Sequence, residues 1–206
     1  MRTPTVSTPD VGASPSPAAG RTSATPGLTG AIARFKGSAL SATSDSVWMP
    51  AVAGALILLT GALSLSTRQP WLFVALGPTA ITIGGNPGHT TVRVRNIVVG
   101  HLVAIVCAWI AVMLVGAGNA PVLLVGASPT TSRVWAGAIA VALMAFAQPT
   151  LRSYHPPAAA TALLLSLGLT PLEPKPIGAM VGGVVLVAML GAWFQRVRLA
   201  AIKGKK

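Results

Sequence analysis

From Val47 onward the sequence is a succession of apolar runs too long and too sparsely charged for a soluble domain. Four of them, at about 47–66, 97–117, 133–150 and 177–195, each approach the roughly 20 residues that carry a helix across ~30 Å of hydrocarbon. Only 9% of all residues are charged and 52% are hydrophobic, where soluble domains carry roughly 25% charged residues. The chain is therefore expected to be an all-α polytopic membrane protein, embedded in a lipid bilayer.

Two further apolar segments are too short for an ordinary span. One is Trp71–Gly85, WLFVALGPTAITIGG, interrupted by Gly77-Pro78; the other is Ala158–Leu169, AAATALLLSLGL, headed by His155-Pro156-Pro157. Twelve helical residues cover only ~18 Å, about half the bilayer core. The order along the chain is long, short, long and again long, short, long, with the connector Gly118–Ser132 between the triplets. In both short segments proline opens a stretch of small and threonine side chains. The expected fold class is four full transmembrane helices plus two short, Pro-headed helices, an arrangement that suits a 3+3 inverted repeat.

Charge placement tests the topology. If both short segments cross and the N-terminus is cytoplasmic, twelve of the 15 Lys and Arg residues fall inside and only Arg68, Arg133 and Lys175 fall outside. If the short segments dip in and return, Arg93, Arg95 and Arg152 move outside and the split is nine to six. Positive residues concentrate on the cytoplasmic side, so six crossings are favoured, with Arg93, Arg95 and Arg152 as cytoplasmic-side anchors. This places a multi-pass domain, residues 46–198, in a bacterial inner (plasma) membrane with both termini cytoplasmic.

The same placement explains the net charge of +12 without nucleic acid, which would need a basic face on a soluble fold. Residues 1–45 are rich in Thr, Ser, Pro, Ala and Gly and should be a disordered tail. Their scarcity of acids also fits a transit peptide, which would make an organelle membrane the alternative location, and Gly30–Leu40 has the makings of a surface-lying helix. Residues 199–206 form a basic C-terminal tail.

No catalytic centre, metal site or cofactor is expected. The three acids, Asp10, Asp45 and Glu173, all fall outside the spans, so no carboxylate pair exists for acid–base work or metal binding. Cys107 is the only cysteine and lies in an apolar run, where a buried thiol is structural.

The residues that remain as candidates cluster at the short segments. Irregular backbone at membrane depth persists only where protein covers it or water reaches it. Pro157 suits a first helical turn, so the helix after it would begin inside the membrane and turn free N–H groups and a positive dipole end toward a cavity. His155, Pro156, Pro157, Ala158 and Thr161, with Gly77, Pro78 and Thr79 from the other half, are the expected site of a small anion. His101, one turn inside the long run at 97–117, is a functional candidate because an ionisable group at that depth is costly; a helix–helix hydrogen bond is the structural alternative. Gln148 and Arg133 read as span-end residues and His89 as a solvated loop residue. Gly178 and Gly182 form a Gly-x-x-x-Gly that permits close packing, within the protein or in a homo-oligomer.

The stretch His155-Pro156-Pro157-Ala158-Ala159-Ala160-Thr161-Ala162-Leu163 resembles the signature of the HPP family of integral membrane proteins. Leu76-Gly77-Pro78-Thr79-Ala80 and Arg95-Asn96-Ile97-Val98-Val99-Gly100-His101 resemble two further family elements, in the same order. The resemblance covers about residues 47–195 and departs at Val94, where proline is expected, and at Ala159, where glycine is common. It implies transport, since plant chloroplast and cyanobacterial members are associated with nitrite movement. The expected function is thus an integral membrane transporter for a small inorganic anion, with nitrite as the candidate. The alternative is a non-transporting membrane scaffold or sensor that acts through its tails.

Overall fold

A computed structural model describes the backbone of residues 28–123 and 128–203, with side chains from 46 to 123 and from 128 to 200. Among the described residues there are six α-helices and no strand: α1 Leu28–Thr67, α2 Leu76–Gly85, α3 Val94–Leu114, α4 Thr131–Thr150, α5 Ala159–Ser166 and α6 Pro174–Lys203. Short 3-10 turns, Thr90–Val92 and Pro156–Ala158, precede α3 and α5. The helices from Leu40 onward form one compact unit. The expected tails, 1–45 and 199–206, fall largely outside the described residues, although the backbones of α1 and α6 reach into both.

Three helices are long and apolar enough to cross a membrane: Ser46–Thr67 within α1, Val94–Leu114, and Pro174–Ala200 within α6. This is one fewer than the four expected. The run at 133–150 does form a helix, α4, of 20 residues, but Arg133, Gln148 and Pro149 at its ends dilute its apolar character below that of the other three. Outward-facing side chains on the long helices include Leu58, Val106, Trp109, Trp135, Phe146 and Trp193, the apolar exterior that a protein in lipid presents.

The two short segments keep their expected places but differ in detail. Gly77-Pro78 does not break a helix; it lies in the first turn of α2, where a missing N–H costs nothing, and Trp71–Val74 ahead of it is non-helical. The Leu72 N–H instead finds the Ser64 hydroxyl at 2.9 Å. Both segments carry the chain back along the preceding helix. Gly84, at the end of α2, lies against the Met49 backbone near the start of the α1 span, and Gly168, after α5, lies against the Arg133 guanidinium near the start of α4. The first turns of the α1 span and the end of α6 meet as well, with the Arg198 guanidinium 5.2 Å over the Trp48 ring.

Among the described residues, the two larger of three apolar cores join the helices of the unit. One joins Val52 and Leu56 of α1, Leu76, Ala80 and Ile83 of α2, and Val184, Val187 and Ala188 of α6, with Ile97. The other joins Ala140 and Met144 of α4, Ala158, Ala162 and Leu165 around α5, and Ala104, Ala108 and Ala111 of α3, with Met180. Each triplet's first two helices are thus completed by the third helix of the other triplet.

Glycines make the close approaches possible. A Cβ on Gly182 or Gly183 would strike the Trp71 ring or its carbonyl oxygen, whereas one on Gly178 would meet nothing within 4 Å. The Gly-x-x-x-Gly of α6 therefore serves packing inside this chain, through Gly182 and its neighbour Gly183. Helix ends repeat a second device. Among the described residues, the non-glycine ones with positive φ are Arg68 (52°) and Arg152 (50°), just past α1 and α4. After α4, Ser153 N–H donates to Gln148 O at 2.9 Å and Arg152 N–H to Pro149 O at 3.0 Å, the double bond of a Schellman cap.

Candidate functional site

The Schellman cap at Arg152 turns the chain sharply inward, so that the next residues run back into the protein. Ser153 and His155 become fully buried while Tyr154 between them faces outward, the alternation of an extended strand-like step. His155 then opens the 3-10 turn Pro156–Ala158 that starts α5.

Gln148 fixes this turn in position. Its side-chain oxygen accepts the His155 N–H at 2.8 Å and its amide donates to the Gly100 carbonyl at 3.1 Å. Gly100 must lack a side chain here, since a Cβ would come within 2.8 Å of His155 Cβ. Residue 101 follows on α3 and brings the second imidazole beside the first, with ring centres 5.3 Å apart.

Four side chains from different elements now meet. The Thr79 hydroxyl of α2 lies 3.1 Å from His101 Nε2 and 3.3 Å from His155 Nε2. His101 Nδ1 lies 2.7 Å from the Thr161 hydroxyl of α5, and His155 Nδ1 lies 2.8 Å from the Thr91 carbonyl oxygen. All four side chains are at most 1% exposed.

The Thr91 carbonyl orders the whole chain of bonds. A carbonyl oxygen only accepts, so His155 Nδ1 carries hydrogen and, in a neutral ring, Nε2 is an acceptor. Thr79 O–H then donates to that Nε2, and its lone pairs receive the N–H of His101 Nε2. His101 Nδ1 is left as an acceptor and takes the Thr161 O–H. Every polar atom is satisfied, with one direction throughout, as a buried network requires. This assignment of ring hydrogens follows from the network.

Of the expected site residues, the structure brings together His155, Thr79, His101 and Thr161. Ala158 is buried among the apolar residues of α3 and α4. Pro78 and Pro156 face outward, and Gly77 and Pro157 are half-buried. Contrary to the expectation from the sequence, the N–H groups that follow Pro157 are not free: Ala158 donates to His155 O at 3.1 Å, and Ala159 to the carbonyls of Pro156 and Pro157. The two prolines supply no N–H, so the turn has used what donors it has and presents no open anion cradle.

The supporting residues take definite places. Arg95 is exposed and donates to the carbonyls of Arg152 (2.9 Å) and Leu151 (3.4 Å), a cation at the C-terminal end of α4 where the helix dipole favours it. Asn96 ties the Thr90 carbonyl to α3 at 2.9 Å. Arg93 and Arg152 are exposed at the same end. His89 is no idle loop residue, because its Nδ1 accepts the Thr91 N–H at 3.3 Å and so caps the 3-10 turn that aims the Thr91 carbonyl. Val94 opens α3 at the N1 position, the place where proline fits best.

Gln148 and Arg133 exceed their reading as span-end residues. Arg133 is only 5% exposed and donates to the carbonyls of Ala120 (2.8 Å), Ser166 (3.2 Å) and Pro121 (3.3 Å). It lines a cavity of about 300 Å3 with Asn119, Thr170 and Leu172 among others, at the end of α4 opposite Gln148. The one acid among the residues with described side chains, Glu173, is exposed, so the buried guanidinium is matched by carbonyl dipoles alone. In sequence, the signal for both residues was a single strong polar group within a turn of a helix end.

A family described as HPP, transmembrane region, matches residues 38–201 of this chain. Neither the curated proteins nor the solved structures contain a match.

Proposed function

The chain belongs to the HPP transmembrane family, and on that premise we propose that it carries a small inorganic anion across a membrane, with nitrite the first candidate. The observation that carries this reading is Arg133, a buried cation beside a cavity of about 300 Å3 with no described carboxylate to neutralise it. Low-dielectric walls focus such a field, so the cavity attracts anions and repels cations. The acid-poor helices add to this bias.

The path runs from the Arg133 cavity toward the His101–Thr79–His155 cluster, with α5 between them. Its closed cluster is one state of an alternating cycle, in which the two triplets rock against each other. An inverted pair of triplets is supported by the exchanged third helices, the matched cap residues Arg68 and Arg152, and the two short segments that return along the helix before them. In this reading α4, 20 residues and ~30 Å long, is the fourth full span. The end with Arg93, Arg95, Arg152, Arg196 and Arg198 faces the cytoplasm of a bacterial plasma membrane, because the opposite end has only Arg68, Arg133 and Lys175.

The test is uptake into proteoliposomes of the purified full chain, with nitrite, nitrate, formate and chloride compared against protein-free vesicles. Saturable nitrite uptake, with a KM raised at least tenfold by Arg133→Met, is expected. No uptake of any of these anions above the protein-free level would sink the proposal.

A further inference from the structure

The neutral hydrogen-bond chain contains a place for one additional hydrogen. The Thr79 hydroxyl has a third neighbour, the Ala75 carbonyl oxygen, at 3.3 Å. When a proton arrives at His155 Nε2, that nitrogen becomes a donor and Thr79 Oγ1 becomes its acceptor. The Thr79 hydrogen turns to Ala75 O, and the Thr79 oxygen receives N–H bonds from both rings with its two lone pairs. No donor loses an acceptor, and nothing but a hydroxyl rotation is required.

A second proton is opposed. It would enter at His101 Nδ1 and place two imidazolium charges with ring centres 5.3 Å apart, in an interior that gives them little screening. Among the described residues, the surrounding elements bring no other titratable or charged side chain to face the pair; His89 caps the Thr90–Val92 turn from its exposed side. From α2 comes Thr79, from α4 Gln148, from α5 Thr161, and from the Thr90–Val92 turn a backbone carbonyl. The buried side chains of α6 are Met180, Val184, Val187 and Ala188. On α3 itself Arg95 is exposed and engaged on α4; Arg93, Arg152 and Glu173 are exposed.

We infer that His101, Thr79 and His155 together form a binding site for a single proton, and that this proton is the co-substrate of the anion. The second part rests on the transporter reading above. One proton with one monovalent anion makes the translocated load neutral, so neither the membrane potential nor the low-dielectric interior opposes it.

Solid-state 15N NMR of histidine-labelled full-length protein in vesicles tests the site without any substrate. Before titration His155 should show Nδ1–H and His101 Nε2–H. On acidification the pair of buried rings should take up one proton per chain. Thr79→Ser should preserve this behaviour and Thr79→Val should abolish it. Two independent protonations of the buried rings, or none, overturn the site. The wild-type spectrum decides this even if Thr79→Val does not fold.

Proteoliposomes holding a pH dye test the coupling, with protein-free vesicles subtracting the leak of nitrous acid. One proton should enter per nitrite or nitrate, and nitrite flux without protons overturns the co-substrate role. A single-proton titration together with no flux of any anion overturns the transporter reading and the coupling, and leaves the proton site standing.

Discussion

Gly100 on α3 touches His155 at the head of α5 so closely that no side chain fits between them: a Cβ built on Gly100 would lie 2.8 Å from His155 Cβ and 3.3 Å from the Ser153 carbonyl oxygen. Neither neighbour is the free end of a flexible side chain, so the backbone itself would have to move. Gly100→Ala should therefore destabilise the protein by about 1–3 kcal/mol, the usual cost of overpacking. Gly178→Ala meets nothing within 4 Å and should be neutral or stabilising, because alanine is the better helix former by roughly 1 kcal/mol. Unfolding in detergent, with both variants beside the wild type, checks the pair.

Gln148 bonds α3 to the His155 turn with both ends of its amide. Gln148→Leu keeps the volume and removes the acceptor of the buried His155 N–H. An orphaned buried donor costs about 1–3 kcal/mol, so a loss of that size is expected in the same unfolding assay. The 15N signals of His101 and His155 should also shift, since the turn that aligns them loses its brace. Unchanged stability and unchanged histidine signals would mean that the amide is dispensable.

Length and composition made the helices legible, because a bilayer sets the length of a span and proline marks where short helices begin. The residues that meet at the site were partly legible for the same reason: His155, His101, Thr79 and Thr161 all lie in or beside the short segments or at unexpected depth. What the sequence could not display was the closure of the site. Whether an N–H after Pro157 is free depends on whether the preceding carbonyls fold back to it, and Ala158 and Ala159 both find such carbonyls. Gln148 and Arg133 were passed over because a polar residue near a helix end ordinarily reaches water. Here the chain doubles back over each end, at Ser153–His155 and at Leu167–Gly168, and buries them.

Arg152 occupies a left-handed position, φ 50°, in the cap that ends α4. The corresponding caps after α3 and α5 use Gly116 and Gly168, with φ of 63° and 81°. A side chain in this region costs roughly 1–2 kcal/mol, and glycine escapes that cost. The contact that Arg152 makes to Arg95 uses its backbone carbonyl, which glycine retains. Arg152→Gly should accordingly stabilise the protein, by up to about 1 kcal/mol after the added freedom of the unfolded chain is counted. A lower melting temperature for this variant would show that the exposed arginine side chain contributes more than its backbone strain costs.

The exchange of third helices makes a prediction about assembly. α3 packs against α4, α5 and α6, and α2 packs against α6, so each half has its core completed by the other. Val184, Val187 and Ala188 belong with α1 and α2, and Ala104, Ala108 and Ala111 belong with α4 and α5. Halves cut after Leu123 should fail to accumulate when expressed alone, because each would leave its buried polar residues without partners: His101 without Thr161, and His155 without the Thr91 carbonyl. Expressed together they should co-purify and recover the wild-type histidine signals. Either half behaving as a stable, folded monomer by itself would show that the two cores are independent, and that the contacts between Thr79 and the two imidazoles do not hold the halves in register.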